Sequence, residues 1–341
     1  MKYINNSTLT NILSCNIRRR SSTHPINLRL SALLGISVLI ILTNLQTAHA
    51  AINLDSNISL TPSIRFDDVD WRSDGATGIS SSPNKAYVLD WKNVSIFQLN
   101  LGSAIIFNDF LYAKSTVGFG VIASGDNQLS ELDANNNNTV IANSVNDADD
   151  GDVFDISISF GALFRIVDHS VKNTLLLIPQ IGYSVHKQTL HMQNGVQTIP
   201  STGAVSGLDS NYESQWDGPW IGLDLRFEAT TTSALQFRYE YHIADYFADA
   251  NINLDNTLAH PRSLSHNADA TGTIFALGWR EEFNDSWFLG FEVMTQRWTT
   301  DRGTNLVFPS NGAAYKTQLG KVSWSSTSVN VTISRFFLSH R

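Results

Sequence analysis

Two patterns in this chain set chemistry-bearing side chains at regular spacing. The first is Asn146-Asp147-Ala148-Asp149-Asp150-Gly151, inside an Asn/Asp-rich stretch over residues 125–152. Alternating oxygen ligands ahead of a glycine are what a calcium loop requires. Ala148 falls at a ligand position and breaks the pattern, so the reading is a solvated acidic loop with no metal and no cofactor. The second is a set of ionisable residues at every other position of strand-like runs: Lys114, Asp155, Arg165, Asp224, Arg226, Arg238, Glu240, His242, Arg280 and Glu292. Both signs are present. They are expected to pair across a shared interior, a structural role rather than one in conduction.

The runs that carry them alternate with a period of two. In Ile221–Phe227, the residues Ile221, Leu223, Leu225 and Phe227 alternate with Gly222, Asp224 and Arg226. In Leu235–Ile243, the residues Leu235, Phe237, Tyr239, Tyr241 and Ile243 alternate with Gln236, Arg238, Glu240 and His242. Each run therefore has one apolar and one polar face. Only Ala229–Ser233 separates them, which predicts a tight hairpin. A charged face opposite a bulky, aromatic one suits a barrel with lipid outside and a polar lumen.

Ten such strands can be traced: 58–71, 86–106, 111–123, 154–166, 173–187, 212–227, 235–245, 273–282, 287–298 and 321–337. The links alternate in length. Short ones at 107–110, 167–172, 229–233 and 283–285 predict four periplasmic turns. Long ones at 72–85, 125–152, 188–211, 246–270 and 300–320 predict five extracellular loops. Trp71, Trp91, Phe107, Phe110, Tyr112, Trp216, Trp287 and Trp298 lie near strand ends, where interfacial girdles are expected.

Residues 1–50 hold five of the 23 lysines and arginines and no acidic residue. An apolar run over 30–42 and Ala48-His49-Ala50 follow, so they read as a secretory signal peptide cut between Ala50 and Ala51. The remaining 51–341 keep 18 basic residues against 31 acidic ones, which argues against a nucleic-acid partner. The single cysteine, Cys15, falls in the signal, so the mature chain relies on no disulfide.

Val88-Leu89-Asp90-Trp91-Lys92 resembles the second-strand L-D-W-K of the omptins, and Gly218-Pro219-Trp220-Ile221-Gly222-Leu223 resembles their sixth-strand P-Y-I-G-L. Asp209–Leu225 and His260–His266 also resemble the uncharacterised omptin-like surface barrels of the Protochlamydia outer membrane protein type. The resemblance implies an all-β, ten-stranded antiparallel transmembrane β-barrel of the Gram-negative outer membrane. Omptins are proteases that activate water with an Asp-x-Asp and an Asp-x-His pair. The resemblance puts the first pair on Glu131 and Asp133 and the second near Asn251 and Asn253, where neither amide takes a proton from water. His260 and His266 are weak substitutes further along. The expectation is a non-catalytic surface protein with an adhesive or structural role. An omptin-like protease with a displaced site and a narrow small-solute channel remain alternatives. Its surroundings would be outer-membrane lipid and lipopolysaccharide, with a host or envelope ligand at the long loops. It is expected to be a monomer.

Overall fold

The computed structural model describes residues 54–74, 84–136, 138–168 and 173–337. The expected signal peptide and its cut lie outside them. Among the described residues there is no helix, and the chain is antiparallel sheet throughout. The strands are β1 Leu54–Arg72, β2 Lys85–Phe107, β3 Leu111–Asp133, β4 Thr139–Asp147, β5 Gly151–Ala162, β6 Phe164–Asp168, β7 Asn173–Ile199 and β8 Gly203–Ala204. They continue as β9 Asp209–Glu228, β10 Ser233–Asn251, β11 Leu264–Asn284, β12 Trp287–Thr300, β13 Gly303–Val307, β14 Tyr315–Leu319 and β15 Ser323–Phe337. β4, β5 and β6 follow one another down a single stave between β3 and β7. β15 pairs with both β12 and β1, which closes a ring of ten staves.

The hydrogen-bonded wall needs no particular side chains, so the solvent on each face decides what the alternation carries. Over the lower half of the ring Ile64, Phe66, Phe97, Leu99, Phe160, Ile181, Ile221, Ile243 and Leu277 point outward and stay exposed, as a lipid-facing belt does. Arg65, Asp67, Gln98, Ser184, His186, Glu240 and His242 are buried on the inner face.

Higher up, the same parity carries the opposite chemistry. On β1 the outward positions become Asp68, Asp70 and Arg72, and the inward ones become Val69 and Trp71. On β10, inward His242 gives way to Ala244, Tyr246, Ala248 and Ala250, while Asp245 turns outward. The wall is inverted within lipid and has an ordinary apolar interior where water surrounds it.

This phase change corrects three expectations. The stretch 125–152 is not a loop: β3 runs on to Asp133 and β4 returns from Thr139. Ala148, which breaks the calcium pattern, is buried in the apolar core, and Asn146 donates to Asn127 at 2.7 Å. Likewise β7 reaches Ile199, β10 reaches Asn251, β11 starts at Leu264, and β13–β14 form a hairpin inside 300–320. The ladders continue where the greasy-outside signal stops. Third, Trp71, Trp91, Trp216 and Trp298 are no girdle; all four are at most 2% exposed and fill the upper interior.

At the lower end the turns 108–110, 229–232 and 285–286 are short, and most of 167–172 lies outside the described residues. At the kink into β5, Gly151 has φ +132°, and a Cβ there would stand 2.0 Å from the Thr189 carbonyl oxygen; only glycine fits.

Candidate functional site

Three layers occupy the inside of the ring. In the lowest, a cavity of about 290 Å³ is lined by most of the ionisable residues that the alternation singles out. Lys114 Nζ lies 3.5 Å from Asp224. Arg238 reaches Asp224 at 3.3 Å, Glu292 at 3.6 Å and Glu240 at 3.9 Å. His242 joins Glu240 through Nε2 at 3.1 Å and Ser184 through Nδ1 at 3.2 Å. Asp155 accepts from Gln98 at 2.6 Å and Arg65 at 3.0 Å, and His186 Nδ1 lies 2.7 Å away.

Three of the expected lumen residues stand apart from these ion pairs. The descending stave breaks at Leu163, which turns into the interior, so Arg165 lies on β6 at the lower end and is exposed. Arg226 and Arg280 line the cavity, but no carboxylate comes within ion-pair distance of either among the described residues.

Arg65, Asp67, His186 and Gln188, which the alternation does not single out, form the upper part of the network. Arg65 Nε donates to Asp67 at 2.8 Å, and Gln188 and Trp324 donate to the same carboxylate at 2.7 and 2.9 Å. The signal was present: Arg65 and Asp67 are opposite charges two residues apart, hence on one face of a strand.

The middle layer is aromatic. Trp298 stacks on Trp324 at 5.6 Å and lies 4.7 Å from the His242 ring and 4.9 Å from that of His186. Trp216 packs on Tyr246 at 4.3 Å, and Tyr212 stacks between Trp91 and Trp71 at 5.3 and 5.5 Å. His186, His242 and Arg65 at the top of the polar network thus meet these rings directly.

The top layer holds the residues aligned with the protease pairs. Glu131 lies 3.1 Å from Lys85 Nζ, which also donates to Asp255 at 2.8 Å, and the Tyr87 hydroxyl donates to Asp255 at 3.1 Å. Burial lowers the Lys85 ammonium, but its bond to Asp255 and the charge of Glu131 outweigh that and raise it. Burial pushes Asp255 up, and the bonds from Lys85 and Thr257 bring it below the usual carboxylate range. Burial, then Glu131 and Asp255, push the Tyr87 phenol well up. Asp133 accepts from the backbone N–H groups of Asn84 and Asn135 at 3.2 and 3.1 Å.

Asn253 accepts from Ser210 Oγ at 2.9 Å and donates to the Gly207 carbonyl at 2.7 Å, lacing its segment to β9. His260 is exposed, with Nδ1 2.8 Å from Asn251 Oδ1. His266 is 1% exposed, its Nδ1 lies 3.0 Å from the Tyr212 hydroxyl, and burial holds the imidazole down to about 3. The structure brings neither histidine to a carboxylate among the described residues.

A closed ring of ten staves, lipid-facing below and aromatic-filled above, defines an outer-membrane β-barrel of the omptin shape. The chain belongs to the Protochlamydia outer membrane protein family, whose model matches residues 60–337. Among solved structures it is similar to the outer membrane protease OmpT from Escherichia coli, at 12% identity and TM-score 0.63, over 85% of this chain and 100% of that one. At that identity the likeness is one of fold. The outer membrane protein OprG from Pseudomonas aeruginosa matches at 11% identity over 84% of this chain and 96% of that one, with a TM-score of 0.32. No curated protein matches the chain.

Proposed function

We propose that this protein is a non-catalytic surface barrel of the outer membrane, with its upper end outward and the connections there serving adhesion or a structural surface role. One observation carries the reading: the residues aligned with the protease pairs are taken up by structural contacts, Glu131 with Lys85, Asp133 with a turn and Asn253 with Ser210, and so is the substitute His266, with Tyr212. Water activation needs a base that water reaches and a carboxylate that orients it. His266 is walled in by Trp71 and Tyr212, and His260 is bonded to an amide. The aromatic layer supports a closed barrel over a small-solute channel. In this reading residues 1–50 are an export signal cut after Ala50, and the mature chain is a monomer among lipid and lipopolysaccharide with no cofactor and no nucleic-acid partner.

The test uses purified protein refolded with lipopolysaccharide and offered a peptide with a basic cleavage site. The peptide should stay intact. Cleavage that disappears in His266→Ala or His260→Ala would establish a displaced-site protease instead. Replacing the tip 134–138 by a two-residue turn should leave the barrel folded and weaken attachment to host or envelope surfaces. Unchanged attachment would remove that tip from the role.

A further inference from the structure

The carboxylates along the lower cavity, Asp155, Asp224, Glu240 and Glu292, each lie within ion-pair distance of Arg65, Lys114 or Arg238. Arg226 and Arg280 share that cavity and have no such partner among the described residues. Glu228 and Glu282 act on Arg280, and Asp224 on Arg226, only from beyond ion-pair distance. An inward cation inside a membrane wall is costly unless something neutralises it.

The placement of the two arginines is specific. Arg226 stands opposite Gln236 on one side of β10, and Arg280 stands opposite Ala234 on the other. Across Ala234 the residue level with Arg280 is Glu228, and Arg226 lies in the next row along, two strand spacings and two residues from Arg280, about 12 Å at the backbone. The two guanidinium charges are near enough to act on each other. The Arg280 guanidinium lies over the rings of Phe288 at 4.7 Å and Phe336 at 5.4 Å. Stacking occupies its faces and leaves the N–H fork in the plane free for an acceptor. Its Nε is buried and meets no protein acceptor.

We propose that Arg226 and Arg280 form an oxyanion site in the lower lumen that takes a phosphate group. Two guanidinium forks match the tetrahedral oxygens of phosphate and balance its two negative charges better than a single carboxylate would. The cavity of about 290 Å³ holds such a group together with its water. The same phosphate chemistry comes from a free phosphate compound or from a phospholipid headgroup.

The experiment follows thermal unfolding of the refolded protein in a neutral sugar detergent. It is titrated with inorganic phosphate or with chloride at matched ionic strength. Phosphate should raise the melting temperature saturably and chloride should not. Line broadening of the phosphorus-31 signal of phosphate gives a second readout that is independent of stability. Affinity should fall roughly tenfold or more in Arg226→Gln or Arg280→Gln, the worth of lost charge-assisted hydrogen bonds. Arg280→Lys keeps the charge without the fork, and should bind measurably but more weakly, which keeps the test open if the glutamine variants do not fold. A free-phosphate ligand predicts the same rise in nanodiscs of phosphatidylglycerol; a headgroup already seated there abolishes it. Equal responses to phosphate and chloride, or undiminished binding in the variants, overturn the proposal.

Discussion

The imidazole of His266 stands edge-on to the indole of Trp71, with ring centroids 4.6 Å apart. Both rings are buried in the upper interior. Burial in the aromatic layer holds the folded imidazole down to about 3, while in the unfolded chain it titrates near 6.5. Between those values the unfolded chain binds the extra proton. The contribution of His266 is therefore complete above pH 6.5 and falls as the pH drops toward 3, by up to about 1.4 kcal/mol per pH unit. Urea melts at stepped pH should show this slope in the native protein and a flatter one in His266→Phe. Parallel slopes would mean that His266 is not the titrating group.

The cluster of Lys85, Glu131, Asp255 and Tyr87 ties β2 and β3 to the connection after β10. Asp255 is held below its ordinary value, so its share of stability is present above about pH 4 and is lost as the pH falls further. Lys85 is raised, so its share is complete below about pH 10.4 and is lost as the pH rises through the folded value. Lys85 is nearly one-third exposed, and screening limits each pair to about 1 kcal/mol or less. Lys85→Met should therefore leave global unfolding almost unchanged while speeding protease nicking in 252–263. A nicking rate equal to that of the native protein would show that the cluster does not hold the segment.

Much of this arrangement could be read from the chain because lipid and water impose opposite rules on one alternation. The lower staves were legible: Ile221 to Phe227 and Leu235 to Ile243 put their greasy side outward and their charges inward. The upper staves were not. Once the outer face meets water, Asp68, Asp70 and Arg72 point outward, and Val69 and Trp71 are buried. The period persists while its meaning reverses, so the same strands read as loops, and Trp71, Trp91, Trp216 and Trp298 read as a girdle. Arg65 and Asp67 sit next to that reversal, which is why the upper part of the lumen network is not legible in the alternation. Which tryptophan meets which histidine depends on closure between β1 and β15, far apart in sequence.

Just above the lipid belt, Asp217, Asp245 and Asp269 stand directly opposite one another on β9, β10 and β11. Asp217 is satisfied by the Tyr183 hydroxyl at 2.6 Å and Gln215 at 2.7 Å, and none of the three has an ion pair among the described residues. Like charges in direct cross-strand register repel by about 0.2–1 kcal/mol per pair. Asp245 faces a carboxylate on each side, so Asp245→Asn should stabilise the barrel. Salt or magnesium should raise the melting temperature of the native protein more than that of the variant. A loss of stability in Asp245→Asn would mean that the carboxylate has a favourable partner.

The aromatic layer makes the strongest demand on the barrel as a closed structure. Trp298 touches Trp216, Trp324, His186 and His242, so it joins the rings above to the charges below. Truncating it removes apolar contacts and leaves a cavity beside a polar network, at a cost of about 3–5 kcal/mol in Trp298→Ala. Trp298→Phe keeps most of the ring area and should cost far less. If these rings seal the lumen, the native protein is silent in planar bilayers and a folded Trp216→Ala/Trp298→Ala variant passes discrete currents. Steady conductance by the native protein would place an open path beside the rings. A silent double variant would show that the seal lies elsewhere along the lumen, with the ion pairs of Arg238 and Arg65 the next barrier below.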